Sequence, residues 1–283
     1  MTTPASAQER IDLARLRNMK AAGRKIAMLT AYDYPTAALA QAAGVHMLLI
    51  GDSLATVILG RPNTRSAPLE LMLVLGEAVR RGAPNVYLVG DMPYESLSGG
   101  VDVAVTAARR YCEVAGCDAV KLETRSGDER LVTAISAAGI PAIAHLGLRP
   151  QDVLSPDGYR AQARDADSIT ALVADARRMV AAGAIMVLLE AVSADAAQAV
   201  VAAVDVPVIG CGAGPACHGH VVVTQDLVGL STIRPPRFVP VLAQLGPTML
   251  AAMRRFVEDI DRGTYPGPEH VYGLRGGGGE RTP

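Results

Sequence analysis

Residues 46–60 read HMLLIGDSLATVILG. An apolar run with the length of a strand stops at Gly51, and a carboxylate and a hydroxyl, Asp52 and Ser53, follow at once. The pattern recurs. NVYLVGD at 85–91 ends in Asp91, CDAVKLE at 117–123 carries Lys121 and Glu123, IPAIAHLG at 140–147 carries His145, and AIMVLLEAV at 184–192 carries Glu190. Five consecutive apolar runs thus end in ionisable groups. Side chains two apart on a strand share a face, so Lys121 and Glu123 point the same way.

Two further runs, KIAMLTA (25–31) and VPVIGCGA (206–213), and a weaker eighth, HVVVTQDLVG (220–229), complete a set of eight. Ala-rich helical stretches lie between most of them, with Gly44, Gly82, Gly116, Gly139 and Gly183 where helix C-caps belong. A last helix is expected at GPTMLAAMRRFVEDIDRG (246–263). Such alternation with short connections implies parallel strands and right-handed crossovers. Eight units close a (β/α)8 TIM barrel, whose C-terminal strand ends form one mouth. A doubly wound open sheet would want a glycine-rich first turn, which LTAYDYP (29–35) does not supply. The expected division is a helical segment at 1–23 packing on the barrel, the barrel at 24–264, and a tail at 265–283 that ends in a disordered RGGGGERTP.

Composition excludes several classes. The 27 basic and 28 acidic residues nearly cancel, and no basic block marks a nucleic-acid surface. MTTPASAQERIDLARL carries charges where a signal peptide needs an apolar core, and no uncharged run spans a bilayer. The expectation is a cytoplasmic protein with neither nucleic acid nor membrane as partner. Cys112, Cys117, Cys211 and Cys217 read as inert thiols rather than disulfides, and CGAGPAC (211–217) is not a zinc spacing.

Each polar strand end has a bland reading. A single Asp there is usually a cap or turn residue, Glu123 pairs with Lys121, and a lone His is usually structural. Glu190 resists such a reading, because a carboxylate inside a buried run is costly without a partner. Taken together, carboxylates with few histidines suit a hard ion such as Mg²⁺, which takes one or two of them and leaves positions for a chelating ligand. A 2-oxo acid chelates through its carboxylate and keto oxygens. The metal then stabilises an enolate, a free carboxylate removes the adjacent proton, and a lysine supports the developing oxyanion.

KIAMLTAYDYPTAALAQAAGV, LLIGDSLATVILG, DMPY, AVKLE, GIPAIAHLGLRPQDV, LLEAV and GAGPACHGHVVVTQDLVGL occur in one order. Together they resemble the 3-methyl-2-oxobutanoate (ketopantoate) hydroxymethyltransferase family, from about Arg10 to EHVYGL. The resemblance implies a barrel of the phosphoenolpyruvate mutase/isocitrate lyase type. It implies transfer of a hydroxymethyl group from 5,10-methylenetetrahydrofolate to 3-methyl-2-oxobutanoate, giving 2-dehydropantoate on the pantothenate route. It also implies one Mg²⁺ per subunit on Asp52 and Asp91, with Glu123 acting through metal-bound water. Ser53 and Lys121 would hold the oxo acid together with Asp52 and Asp91. His145 would contact it near the reacting carbon, and Glu190 would be the base. A homo-oligomer, a decamer, is implied as well.

Some positions depart from that pattern. RPNTRSAP (61–68) brings Arg61 and Arg65, Leu75 stands where His is usual, AVS follows Glu190, His46 replaces a common Asp, and Cys217-His218-Gly219-His220 replaces Cys-Asp-Gly-Gln. Four readings stay open at this level: drift with the reaction kept, a paralogue taking another 2-oxo acid or another one-carbon donor, a Mg-dependent carbon–carbon lyase or aldolase of the related barrels, and a catalytically silent barrel used as an oligomeric binding or scaffold protein. In the second, Arg61 and Arg65 would meet an extra anionic group.

Overall fold

The structure is a computed structural model, and it describes residues 9–153, 159–232 and 234–273. The sequence RGGGGERTP, expected to be disordered, lies outside the described residues. Eight parallel strands close a barrel in chain order: β1 (Ile26–Thr30), β2 (Met47–Ile50), β3 (Tyr87–Asp91), β4 (Ala119–Glu123), β5 (Ala142–Gly147), β6 (Ala184–Glu190), β7 (Val208–Cys211) and β8 (Gly219–Val222). The expected (β/α)8 class is borne out. The helices are α1 (Leu13–Ala21), α2 (Tyr34–Ala42), α3 (Leu54–Val57), α4 (Leu69–Gly82), α5 (Tyr94–Ser98), α6 (Val101–Glu113), α7 (Glu129–Ala137), α8 (Ala166–Ala181), α9 (Ala194–Ala203), α10 (Thr224–Leu227) and α11 (Leu245–Asp261). No described helix is long and apolar enough to cross a membrane.

Side-chain alternation divides the apolar residues into two layers. Met28, Met47, Val89, Ala119, Ile143, Met186, Leu188, Ile209 and Val221 fill the barrel, and α1 closes its floor with Leu16 and Met19. Val120, Leu122, Ala144, Val187 and Val208 face outward onto the helices. Because the period is two, Lys121 and Glu123 continue the inward row begun by Ala119. His145 continues the row of Ile143, Glu190 that of Met186 and Leu188, and Asp91 that of Val89. The barrel interior is therefore apolar at its floor and ionisable at its mouth.

Local chemistry sets the helix ends. Asp33 caps α2 by accepting from the Thr36 N–H, and Asp165 with Ser168 forms a capping box on α8. Gly44, Gly116, Gly139 and Gly183 adopt positive φ after helices, as C-cap glycines do. Gly82 does not: it is the last residue of α4, and a Cβ there would lie 2.4 Å from the Tyr34 carbonyl oxygen. Its glycine serves the close approach of α2 and α4.

One expectation on the last units is corrected. The eighth strand is Gly219–Val222 rather than 220–229, since Thr224 turns the chain into α10. The Thr224 hydroxyl and N–H bond the backbone oxygen and side-chain oxygen of Thr30 on β1, which stops the strand. The long helix α11 forms where GPTMLAAMRRFVEDIDRG predicts it, but none of its residues is buried. Ala27 and His220, facing outward from β1 and β8, are exposed as well.

Candidate active site

Ladder register brings the ionisable strand ends side by side. Asp91 pairs with Lys121, Glu123 with His145, and Gly147 with Glu190. Asp52 and Ser53 follow β2 directly, and the Asp52 N–H donates to Oδ2 of Asp91 at 3.0 Å. Asp52, Asp91, Lys121, Glu123 and His145 are each buried. The Ser53 hydroxyl shares a 2.7 Å hydrogen bond with the hydroxyl of Tyr32 at the end of β1.

Small residues make these positions attainable. A Cβ on Gly90 would lie 2.3 Å from the Tyr111 ring, so glycine lets that ring pack against β3. The Tyr111 hydroxyl then donates to the Asp91 carbonyl oxygen at 2.6 Å and pins the end of the strand. Gly147 has φ +91, and a Cβ on it would meet the Glu190 carbonyl oxygen at 2.4 Å. Ala191, immediately after Glu190, sits at φ +46, a region that costs an L-residue about 1–2 kcal/mol. Strain is stored beside the carboxylate.

A row of contacts crosses the mouth. Nζ of Lys121 lies 2.7 Å from Oδ1 of Asp91 and 3.1 Å from Nδ1 of His145. Nε2 of His145 lies 3.4 Å from Oε2 of Glu190. Burial pushes the Asp91 carboxyl up to about 7 against the pull of Lys121. Burial also raises Glu123 well above the carboxylate range, with Asp52 adding to the effect, and it lifts Glu190 to about 8. Burial and then the Lys121 charge hold His145 well below its ordinary value, so the imidazole is neutral. Burial opposes the charge on Lys121, but Asp91, Asp52 and Glu123 outweigh it and keep the ammonium charged. Four carboxyl groups, Asp52, Asp91, Glu123 and Glu190, thus share the mouth with Lys121, and burial favours the protonated form of the last three.

That set suits a hard divalent cation. Oδ1 of Asp91 accepts no well-aligned hydrogen bond despite the nearby ammonium. Asp52, Asp91 and Glu123 do not converge as a closed three-ligand cage among the described residues. Gln151 engages two of them. Its side-chain amide donates to Oδ2 of Asp52 at 2.9 Å, and its backbone N–H lies 3.2 Å from both oxygens of Glu123. Two carboxylates with a third one step removed fit Mg²⁺, which keeps waters and takes few protein ligands. Sequence reasoning passes over Gln151, because its part depends on the 3₁₀ turn Pro150–Asp152 folding back over the mouth.

The sequence departures fall in different places. Arg61 bonds the Ser66 carbonyl, and Arg65 bonds the Gln151 carbonyl while its guanidinium lies 4.0 Å from the centroid of the Tyr94 ring. The Cys217–His220 segment leads into β8 from the floor of the barrel, not the mouth, so its changes lie away from the carboxylates. His218 accepts from the Val208 N–H, and His46 likewise accepts from the Ala27 N–H. Both histidines satisfy backbone donors. All four cysteines are free thiols.

Solved structures share the fold. The chain superposes on phosphonopyruvate hydrolase in complex with oxalate and Mg²⁺ with TM-score 0.60 at 15% identity, covering 94% of this chain and 93% of that one. It superposes on 2,3-dimethylmalate lyase, a PEP mutase/isocitrate lyase superfamily member, with TM-score 0.58 at 19% identity, covering 90% and 89%. The chain thus shares the closed parallel barrel fold of those proteins. Residues 10–268 match the ketopantoate hydroxymethyltransferase family. The 3-methyl-2-oxobutanoate hydroxymethyltransferase of Halalkalibacterium halodurans is 40% identical over 262 residues, 93% of this chain and 94% of that one. The Desulfotalea psychrophila protein of the same name is 42% identical over 254 residues, 90% and 91% of the two chains. The chain belongs to the ketopantoate hydroxymethyltransferase family.

Proposed function

We propose that this protein transfers a hydroxymethyl group from 5,10-methylenetetrahydrofolate to 3-methyl-2-oxobutanoate, with Mg²⁺ at the barrel mouth. The observation that carries the reading is the convergence of Asp52, Asp91, Lys121, His145 and Glu190 on one buried mouth, in a chain of this family. Asp52 and Asp91 would hold the cation, and Glu123 would reach it through water. When bound, Mg²⁺ supplies Lewis-acid polarisation of a chelated 2-oxo acid.

The chain's own groups do the rest. Lys121 faces the oxygens of the oxo acid and stabilises negative charge that develops there. Glu190 takes the proton from carbon 3. A carboxylate lifted to about 8 is a stronger base than one in water, and its strength is matched to neutral pH. His145 places Nε2 3.4 Å from the Glu190 carboxylate without a formed hydrogen bond between them, and as a neutral imidazole it adds no charge there. Ser53, positioned by Tyr32, is available to an oxygen of the substrate. The electron pair released at carbon 3 forms the new carbon–carbon bond to the one-carbon unit, water provides the hydroxyl oxygen, and tetrahydrofolate leaves.

Self-association belongs to the same reading. Helix α11 presents Met249, Leu250, Met253, Phe256, Val257 and Ile260 at helical spacing, and each is exposed. Such a stripe supports a homo-oligomer, with the decamer implied by the family as its expected size.

The test is incubation with Mg²⁺, methylenetetrahydrofolate and 3-methyl-2-oxobutanoate, alongside a panel of other 2-oxo acids, read by mass spectrometry. Gain of one CH₂O unit on 3-methyl-2-oxobutanoate is expected. Gain only on a different acid would replace the substrate, and cleavage without folate would replace the reaction.

A further inference from the structure

Gln151, which the sequence does not single out, touches both Asp52 and Glu123 at the mouth. It is buried in the turn after β5. Its side-chain nitrogen donates to Oδ2 of Asp52 at 2.9 Å and to the Met92 carbonyl oxygen at 3.0 Å. Both partners only accept, so nitrogen must face them, and both of its N–H bonds are used. Its backbone N–H lies between the two oxygens of Glu123, 3.2 Å from each. One residue from beyond β5 therefore ties together the chain at the ends of β2, β3 and β4.

Gln151 is held in turn from the other side. Its carbonyl oxygen accepts from Nε of Arg65 at 2.5 Å. Arg65 comes from the loop after α3, and its guanidinium stacks on Tyr94 at the start of α5. The Tyr94 ring lies under the guanidinium while Nε bonds the carbonyl, so one group makes both contacts. A planar fork does this and a lysine ammonium does not. The chemistry of Gln151 suits its place too. A neutral amide occupies one oxygen of Asp52 without bringing a charge that would compete with a cation for the carboxylate. Oδ1 is the oxygen which that bond does not occupy.

We propose that Gln151 and Arg65 are positioning residues for divalent-cation binding. Gln151 fixes the orientations of Asp52 and Glu123, and Arg65 fixes the backbone of Gln151. This rests on the proposed holding of a divalent cation by Asp52 and Asp91. The strap runs from the altered 61–68 segment to the carboxylates, so that segment acts on the metal end of the site.

The experiment is titration of the full-length protein with Mn²⁺, with free Mn²⁺ counted by electron paramagnetic resonance, with and without 3-methyl-2-oxobutanoate. Gln151→Met keeps the volume of the side chain and removes its donors, and should raise the Mn²⁺ Kd by about 10–100-fold, as losing a group that orients a ligand does. Arg65→Leu should raise it by a smaller factor, about threefold or more, and Arg65→Lys should not restore it. Arg65→Leu should also cost less in the Gln151→Met background than in the wild type, because the two act through one residue. Unfolding midpoints in chelator check each variant, and Arg65→Leu carries the test if Gln151→Met does not fold. Wild-type binding with both single variants within twofold of it would overturn the strap and leave the metal reading standing. No Mn²⁺ binding by the wild type, even with the oxo acid, would remove the metal reading and the strap with it.

Discussion

Lys121 donates to Nδ1 of His145 across 3.1 Å. An ammonium group has no lone pair to accept with, so Nδ1 is the acceptor and the imidazole proton sits on Nε2. Nε2 faces Oε2 of Glu190 at 3.4 Å. One lysine thus sets the tautomer of the histidine and, through it, the environment of the candidate base, while its other contact is to Asp91 at 2.7 Å. Lys121→Met removes both. Breaking a buried pair by deleting one partner costs about 3–5 kcal/mol. In chelator-treated protein the loss should be larger at pH 8 than at pH 6, because Asp91, already lifted to about 7, takes up a proton at the lower pH and no longer needs a cation. Urea unfolding at the two pH values measures this. Equal losses would mean that Lys121 contributes packing rather than charge.

Glu190→Gln tests the base directly. The amide keeps the shape and loses the proton-accepting oxygen pair, so binding of the oxo acid should persist within a few-fold. Exchange of the carbon-3 proton with D₂O, followed by NMR, should fall by about 10²–10⁴-fold, the usual worth of a positioned base. Exchange at the wild-type rate would reject Glu190 in that role.

Much of the site is legible in the sequence because the barrel writes its mouth in a simple way. Residues two apart share a face, so Lys121 and Glu123 read as neighbours from their spacing alone, and the runs ending in Asp91, His145 and Glu190 read as adjacent staves. What is not legible depends on loops folding back. Gln151 sits in a turn whose partners are 28, 59 and 99 residues away, and nothing in RPQDV signals that. The Cys217–His220 change reads as a loop beyond strand seven. In fact β7 and β8 are joined without a helix, so the segment returns to the floor. Helix α11 has the amphipathic pattern of a barrel helix, and the pattern does not say that its apolar face lies away from its own barrel.

The buried carboxyls predict a pH dependence of stability with a definite sign. Glu190 is raised from 4.5 to about 8 and Asp91 from 3.8 to about 7. A group whose folded value is raised binds its proton more tightly when folded, so its stabilising contribution is full below the unfolded value and is lost as pH rises through the folded one. Chelator-treated protein should therefore melt at progressively lower temperature between about pH 5 and 8. Added Mg²⁺ should raise the melting temperature most at the upper end of that window, where the carboxylates are ionised and repel one another. A melting temperature that rises from pH 5 to 8 in chelator would contradict the burial of these groups in their protonated forms.

The exposed stripe on α11 predicts how assembly will respond to charge. Leu250 is 48% exposed and Phe256 49%, on a helix with no buried residue, so neither supports its own barrel. A carboxylate at either position should leave the folded barrel unchanged by far-ultraviolet circular dichroism, since the interior clusters include no α11 residue. In an assembly, the same carboxylate is forced into an apolar interface, where an unpaired charge is strongly unfavourable. Leu250→Glu and Phe256→Glu should each shift the sedimentation profile to smaller species, with the double variant shifted furthest. If the wild type sediments as a large oligomer and both variants keep its size, the assembly is built on another face. If the wild type is itself a monomer, the stripe has no second copy to meet, and the self-association reading fails.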